Sequence, residues 1–213
     1  SQATSVSRNG DTIVGWGTTD VARESFRWTG TGGLELLERL PRGHSIANDV
    51  SDDGRIIVGQ GGSATNGEAF LWEQDVGWVG LGDLAGGGHS SVASTITGNG
   101  LIVGGSSITD IGREAFVWDS LHGMLSLTDV LTEDFDLDLT GWILNHVFDI
   151  SIDGRYLVGY GSNPDGNTEG WLVRLDQPVF MSVSEPSTFL LFIPSFLLIL
   201  LRFNFTQSSK RKR

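Results

Sequence analysis

Three histidines precede predicted strands, and two of them adjoin serines, a pairing used in nucleophilic catalysis. His44-Ser45 and His89-Ser90 occupy matching positions in their surroundings, and His146 is the third. Such pairs could supply a nucleophile with its base, and the three histidines could bind zinc. Adjacent residues rarely present both groups to one substrate, however, and a zinc site would need side chains from three separate segments. A turn contact made once per repeat is the preferred interpretation, and no catalytic residue is assigned.

The densest acidic stretch is Glu133-Asp134-Phe135-Asp136-Leu137-Asp138. Alternate carboxylates offer the hard oxygen ligands that calcium prefers, which makes Asp134, Asp136 and Asp138 the calcium candidates. The stretch lacks the glycine and the terminal glutamate of a known calcium loop. A solvated acidic loop is the preferred interpretation, and no metal or cofactor is assigned.

Carboxylates and tryptophans could together serve polysaccharide recognition. Two glutamates could flank a glycosidic bond, but nothing selects a pair among Glu24, Glu68 and Glu114. We expect these glutamates to satisfy backbone donors or to pair with nearby arginines. Three tryptophans follow a repeat and are predicted to be core, whereas four others are free to line a sugar-binding surface. The core set is Trp28, Trp72 and Trp118, and the free set is Trp16, Trp78, Trp142 and Trp171.

The elements that position these residues repeat along the chain. A Val-Ser-Arg-Asn-Gly-Asp-Thr-Ile-Val-Gly segment starts at Val6 and returns from Val50, Ile96 and Ile150, the third copy being one residue shorter. A Glu-Ala-Phe-Leu-Trp-like segment follows each copy. The starts are 44, 46 and 54 residues apart, close to the period of a propeller blade.

Each repeat predicts about four short strands. The Asn-Gly or Asp-Gly step between two apolar runs predicts a type I′ hairpin turn. The alternation in Glu-Ala-Phe-Leu-Trp predicts a strand with Ala and Leu on one face and Phe and Trp on the other. No sustained helical period precedes residue 185. The sequence therefore predicts an all-β, propeller-like array of about four four-stranded units. Whether these close a small ring or belong to a larger one stays open.

The pattern from Ala69 to Ser90, followed by an Asn-Gly or Asp-Gly hairpin and Ile-Val-Gly, resembles the bacterial extracellular repeats called the HAF family. The resemblance covers most of residues 5–175. The family's lead His is replaced by Glu24, Glu68, Glu114 and Glu169. The resemblance implies an exported β-repeat protein and supplies no catalytic residues.

The charge is strongly asymmetric. All 26 acidic residues precede Arg202, together with nine of the 14 basic ones, and both lysines lie in the last four positions. An acidic body repels phosphate backbones, so nucleic acid is excluded as the expected partner. The chain has 30 glycines and no cysteine, which favours tight turns and excludes disulfides and thiolate metal sites.

The last residues differ in kind from the repeats. Phe189 to Leu201 carries no charge, and the segment 189–205 would form about 25 Å of helix, a marginal but sufficient length for a membrane span. The basic positions that follow would hold this end in the cytoplasm by the positive-inside rule. They are Arg202, Lys210, Arg211, Lys212 and Arg213.

The order Glu185-Pro186-Ser187, apolar helix, basic end resembles the PEP-CTERM sorting signal, which implies recognition by an exosortase-type membrane peptidase. Ser184 stands where that signal has its first proline. The predicted organisation is a β-repeat domain at 1–177, a linker with the sorting motif at 178–188, a transmembrane helix at 189–205 and a basic cytoplasmic tail at 206–213.

The sequence thus predicts an exported structural or binding protein of the cell surface or extracellular matrix, not an enzyme. We expect it to be anchored in the inner membrane, with the body outside the cytoplasm, and then sorted outward. Its expected partners are membrane lipid, the sorting peptidase and extracellular polysaccharide. The alternative is a propeller hydrolase or lyase that acts on polysaccharide.

Overall fold

The computed structural model describes residues 1–37, 43–62 and 67–180. Within these ranges the chain forms fifteen strands and one short helix. The first two sheets contain β1 Gln2–Val6, β2 Thr12–Thr18, β3 Arg23–Thr29, β4 Gly33–Leu36, β5 His44–Val50, β6 Ile56–Gly62, β7 Gly67–Glu73 and β8 Gly77–Gly82. The remaining elements are β9 Ser91–Ile96, β10 Val103–Thr109, β11 Gly112–Asp119, β12 Gly123–Ser126, α1 Leu127–Glu133, β13 Ile143–Ile150, β14 Tyr156–Ser162 and β15 Thr168–Arg174.

The strands form successive antiparallel sheets in chain order. Sheet 1 is β1 to β4, sheet 2 is β5 to β8, sheet 3 is β9 to β12, and sheet 4 is β13 to β15. The first strand of each later sheet packs against the second and third strands of the sheet before it. The predicted all-β, propeller-like array is therefore confirmed, but the fourth unit has three strands rather than four in the described residues.

The alternation predicted for the third strand of each repeat is confirmed in sheet 2. Ala69 and Leu71 belong to the hydrophobic cluster shared with sheet 3, whereas Phe70 belongs to the cluster shared with sheet 1. Trp72 packs against the same cluster as Phe70. One strand thus supplies apolar side chains to two interfaces, which is why its sequence is nearly continuously apolar.

Close strand approach requires the glycine that opposes the aromatic residue of the third strand, which is Gly15, Gly59, Gly105 or Gly159. A Cβ on Gly59 would overlap the backbone oxygen of Ile46 and lie 2.9 Å from the Phe70 ring. Gly105 stands in the same place, since it opposes Phe116 as Gly59 opposes Phe70. The third copy of this segment therefore ends at Gly105 and has the same length as the other copies, so the predicted one-residue shortening is wrong.

The predicted type I′ hairpin turn is wrong. Gly10 has a φ of 76°, but Asn9 is not among the residues with positive φ, which a type I′ turn would require. The Gly10 N–H donates to the Ser7 carbonyl at 2.9 Å, and the Thr12 N–H donates to the Ser7 hydroxyl at 3.0 Å. The serine before the Asn-Gly step therefore closes a longer loop.

The helix α1 is the second departure from prediction, because no helix was expected before residue 185. The Ser126 side chain caps it by accepting from the Asp129 N–H, and Asp129 lies in the first turn, where a carboxylate is favourable. Leu127, Val130 and Leu131 are buried in the cluster between sheets 3 and 4. At seven residues the helix is too short to show a helical period in the sequence.

The compact unit extends from Ser1 to Phe180, three residues past the predicted domain end at 177. Val179 is buried, and its N–H donates to the Gly154 carbonyl at 2.9 Å. The sorting motif, the segment 189–205 and the basic end lie outside the described residues. Among the helices of the described ranges, none has the length and apolar character to cross a membrane.

Candidate functional site

The sheets meet at three junctions, each where the first strand of one sheet begins beside the start of the third strand of the preceding sheet. We call them the first, second and third junctions in chain order. At the first, the Ser45 hydroxyl accepts from the Ser25 N–H at 2.9 Å, and at the second, the Ser91 hydroxyl accepts from the Ala69 N–H at 2.9 Å. At the third, the Asn145 amide donates to the Arg113 carbonyl at 2.7 Å. These anchor contacts join consecutive sheets.

The first junction holds a cavity of about 420 Å³. Its polar side chains come from three strands: Arg23 from β3, His44 and Ser45 from β5, and Gln60 from β6. Among the described residues, Ile46, Gly61, Gly62 and Gly67 also line it. We call this cavity the first-junction cleft. Because its glycines expose backbone and its side chains supply donors and acceptors, the cleft suits a polar ligand.

Charge and aromatic surface adjoin each other at this cleft. The guanidinium of Arg23 lies 4.9 Å from the centre of the Trp16 ring, a cation–π arrangement that presents a flat face and a set of donors together. The His44 Nδ1 accepts from the Arg23 N–H at 3.3 Å. In the neutral imidazole Nε2 therefore carries the proton and can donate to a ligand.

The second junction keeps the anchor contact and carries different residues beside it. Gly67 stands where the first junction has Arg23, and a Cβ there would overlap the Gln60 side chain. Ser106 occupies the position equivalent to Gln60, and its side chain is fully buried. The side chains beside the anchor contact thus differ between the first two junctions.

The third junction brings aromatic and basic groups together. Arg113 stands in the Arg23 position and donates to the Ser106 hydroxyl at 2.8 Å. The His146 ring lies 4.9 Å from Phe148 and 5.9 Å from Tyr160, and its Nε2 is 2.8 Å from the Ser94 hydroxyl. Burial, together with the nearby positive charge of Arg113, lowers the pKa of His146 to about 4. The imidazole is consequently neutral near pH 7.

The predicted histidines do not share a site. His44 lines the first-junction cleft, His146 lies at the third junction, and His89 is an exposed loop residue with a φ of 47° near Asp83. The matching of His89-Ser90 with His44-Ser45 is also off by one residue. Ser91, not Ser90, is the counterpart of Ser45, because both make the anchor contact.

The acidic candidates lie around the end of α1. Asp134 is its C-cap, Asp136 has a φ of 52°, and Asp138 accepts from the Thr140 N–H at 3.0 Å. Side-chain and backbone hydrogen bonds from Thr140 lower the pKa of Asp138. Within the ranges that the structure describes, no three His, Asp or Glu side chains converge in a way that could hold a metal ion, and these three aspartates are no exception.

Two of the repeated glutamates bind the neighbouring strand. The Glu68 carboxylate accepts from the Gly82 N–H at 3.2 Å, so it satisfies a backbone donor as expected. The Glu114 carboxylate accepts from the Ser126 hydroxyl at 2.5 Å, which is neither a backbone donor nor an arginine. Both bonds join the third strand to the fourth strand, in sheets 2 and 3.

Of the four tryptophans predicted to be free, Trp16 lies beside a cleft. Trp171 is buried, with 9% of its surface exposed, and Trp142 packs against the core between sheets 3 and 4. Trp78 meets the edge of Phe70 at 4.3 Å. Sequence reasoning missed Arg23 and Gln60. The available signal was that both positions vary between repeats: Gly67 and Arg113 stand in the Arg23 position, and Trp16, Ser106 and Tyr160 stand in the Gln60 position.

No family model and no curated protein matches the chain. Among solved structures, it is similar to a putative TolB from Agrobacterium tumefaciens, with a TM-score of 0.55 and 17% identity. That match covers 84% of this chain and 61% of the other, so the chain spans less than two thirds of its length.

A second solved structure, prolyl oligopeptidase B from Galerina marginata, matches with a TM-score of 0.52 and 12% identity, over 82% of this chain and 26% of that one. The propeller of Dos1 matches at 0.38 and 12% identity, over 83% and 42%. At such identities the likenesses to TolB and to prolyl oligopeptidase B bear on the fold alone, and the Dos1 match, with a TM-score below 0.5, carries no argument. The described part of the chain has an all-β, propeller-like fold.

Proposed function

We propose that this protein is an exported structural and binding protein of the cell surface or extracellular matrix, which binds extracellular polysaccharide through the first-junction cleft. The observation that carries the proposal is that Arg23, which lines a polar cavity, also places its guanidinium 4.9 Å from the centre of the Trp16 ring. Sugars present hydroxyl groups together with apolar ring faces. The guanidinium can donate to the hydroxyl groups, and the tryptophan ring can pack against a ring face. The repeats form the scaffold, and the residues that line the cleft differ from those at the equivalent positions of other repeats.

The cleft presents a cationic side chain in an acidic protein. Arg23 is exposed, and the whole chain has 26 acidic residues against 14 basic ones. A guanidinium donates to carboxylates and hydroxyl groups in a fixed fork geometry. The proposed ligand is therefore a polysaccharide segment that places an acidic or hydroxyl-rich group against Arg23 and a ring face against Trp16.

Export and anchoring belong to the same proposal. The segment 189–205 is taken to span the inner membrane, with Lys210, Arg211, Lys212 and Arg213 on the cytoplasmic side, and Glu185-Pro186-Ser187 is taken as the sorting motif for an exosortase-type peptidase. The resemblance to HAF repeats and PEP-CTERM signals supports this reading, and so does the scarcity of basic residues before Arg202.

One contact favours a second candidate, a hydrolase or lyase acting on polysaccharide. The Ser94 hydroxyl and the His146 Nε2 lie 2.8 Å apart and come from adjacent sheets. That distance allows a base to activate a nucleophile. A histidine with a pKa of about 4, however, is a weak base near neutral pH, where general bases work best with a pKa near the working pH. Binding is therefore preferred.

The binding proposal is tested by affinity electrophoresis through gels that contain an acidic polyuronate or a neutral soluble β-glucan. We expect retardation by at least one of the polymers and, for Arg23→Ala, about a tenfold weaker affinity, the value of one lost charge-assisted hydrogen bond. Arg55→Ala is the matched control, since Arg55 is exposed on the β5–β6 loop, away from the cleft. Equal retardation of both variants would place binding elsewhere. If the unsubstituted protein instead cleaves the polysaccharide and releases new chain ends, and Ser94→Ala does not, the protein is an enzyme.

Anchoring is tested separately by deleting residues 186–213. The full chain should fractionate with membranes, and the shortened chain should appear in the aqueous fraction, because its apolar segment is gone. Replacing Lys210, Arg211, Lys212 and Arg213 with Gln is a finer variant that keeps the apolar segment. A shortened chain that still sediments with membranes contradicts the anchor.

A further inference from the structure

The two ends of the sheet array expose side chains whose repeat equivalents are buried inside it. The first strands of sheets 2, 3 and 4 pack on the preceding sheet through residue pairs that are at most 6% exposed: Ala47 with Val50, Ala93 with Ile96, and Val147 with Ile150. In sheet 1 the same positions are Ala3, which is exposed, and Val6, which is 55% exposed. We call this surface the leading face, and it includes Trp28, Leu34 and Leu36 at 38%, 61% and 50% exposure.

The hairpin loops show the same pattern. In each later sheet the loop glycine sits against a side chain of the preceding sheet: Gly54 against Thr12, Gly100 against Ile56, and Gly154 against Ile102. Gly10 is the first of this series, and a Cβ built on it meets nothing within 4 Å. The loop of sheet 1 therefore has the shape for such a contact without having the neighbour.

The far side of sheet 4 completes the comparison. Tyr156 follows Thr12, Ile56 and Ile102 in their repeat position and is 42% exposed. Leu172 is 67% exposed, whereas its equivalents Leu71 and Val117 are 8% and 0% exposed. We call this surface the trailing face. The trailing face carries the residues that contact the following sheet elsewhere in the array, whereas the leading face carries those that contact the preceding sheet.

We propose that the trailing face of one copy of this chain binds the leading face of a second copy, head to tail. The occupant is argued from the chain's own interfaces, because the leading face has the residue types that sheets 2, 3 and 4 use to dock on a preceding sheet. Tyr156 then packs on the Gly10 loop of the second copy, in the way that Ile102 packs on Gly154. The contact is heterologous, so each copy keeps one free face unless a ring closes.

A polar contact repeats across the same interface. The Asp49 carboxylate accepts from the Ile96 N–H of the next sheet at 2.9 Å. Asp149 holds the equivalent position in sheet 4, where it accepts from Thr95 of the preceding sheet at 3.2 Å and is exposed. In the assembled pair, the Asp149 carboxylate accepts from the Val6 N–H of the second copy, which fixes the register between copies.

Cysteine cross-linking tests the arrangement residue by residue, since the chain has no cysteine of its own. The internal template is Asp52 beside Gly98, where a Cβ built on Gly98 lies 2.6 Å from the Asp52 side chain. The corresponding positions on the two end faces are Ile152 and Arg8. Arg8→Cys and Ile152→Cys proteins, mixed as full chains in mild detergent under oxidising conditions, should form a disulfide-linked dimer, and neither should do so alone.

Light scattering on the full chain in the same detergent supplies the second readout. The unsubstituted chain should exceed the monomer mass, and Leu172→Arg should reduce it to the monomer. Ile111→Arg is the matched control, since Ile111 is 70% exposed on the β10–β11 turn and should leave the assembly intact. A monomeric unsubstituted chain, or cross-links formed by either single-cysteine protein alone, overturns the proposal. Polysaccharide binding is unaffected by either outcome, because the first-junction cleft lies inside one copy.

Discussion

The first and third junctions share a backbone arrangement and differ in almost every side chain at their rims. Both join the start of a first strand to the third strand of the preceding sheet, through Ser45 in one and Asn145 in the other. Above that contact, the first junction opens into a cavity beside Trp16, whereas the third places Tyr160 and His146 in the equivalent space. The same fold therefore carries an open polar cleft at one junction and an aromatic cluster at another.

The difference separates two kinds of position. Residues that recur, such as the glycine of Ile-Val-Gly and the serine of the hairpin loop, satisfy backbone groups or permit close approach. Residues that change between repeats, such as Gln60 and its equivalents Trp16, Ser106 and Tyr160, face the junctions. In a repeat protein, the search for a binding site should begin with the positions that break the repeat.

The largest expected losses of stability come from substitutions in the cores at the first and third junctions, and the two losses should be similar in size. Phe70 lies in the cluster between sheets 1 and 2, and Trp171 lies in the cluster between sheets 3 and 4. Replacing either with Ala removes a buried aromatic ring and leaves a cavity, at a cost of about 3–5 kcal/mol. Urea unfolding followed by tryptophan fluorescence for Phe70→Ala and by circular dichroism for Trp171→Ala measures the loss.

The matched control is Leu172→Ala, next to Trp171 but 67% exposed on the trailing face. In protein diluted until it is monomeric, this substitution should change the free energy of unfolding by less than about 1 kcal/mol. If one aromatic substitution is as mild as this control while the other is severe, the two junctions do not rest on equivalent cores.

Much of the fold was predictable because the same strand pattern occurs four times in the sequence. The β-branched runs, the Asn-Gly and Asp-Gly steps and the Ala-Phe-Leu-Trp alternation each predict the same strands, and they agree between copies. The helix α1 was not predictable from periodicity, since it spans two turns within an insertion and depends on the Ser126 cap and on packing against sheets 3 and 4. The type I′ turn failed for a different reason. The hydroxyl of the preceding Ser7 accepts from the Thr12 N–H, and this side-chain contact outweighed the dipeptide signal.

The site was predictable only in part. His44 and Trp16 were identified from residue type, but Arg23 and Gln60 join them through contacts between residues of different sheets. Trp171 was predicted to be free to line a sugar-binding surface because it lies outside the tryptophan positions that follow the repeat, yet it is buried opposite Gly159, where the other repeats have Phe. A departure from the repeat therefore indicates function only where the position faces a junction rather than an interior.

The pH dependence of stability should distinguish the third junction through His146. Its pKa is about 4 in the folded protein, lowered by burial and by Arg113, against 6.5 for an ordinary histidine. Above about pH 6.5 the group is neutral in both the folded and unfolded states. As the pH falls from there toward about 4, the unfolded state binds the proton more tightly, so this histidine makes the protein progressively less stable.

His146→Gln removes that proton without removing a polar side chain from the Ser94 contact. Its urea midpoint should fall less steeply than that of the unsubstituted protein between about pH 7 and 5, a range above most carboxylate titration. His44, His89 and His122 are present in both proteins and cancel in the comparison. The effect should be smaller than that of either core substitution, because His146 is only partly buried and solvent screens its charge. If the urea midpoints of the two proteins fall equally steeply with pH, His146 protonates as easily in the folded as in the unfolded state. The third junction would then not differ from the open first junction in this respect.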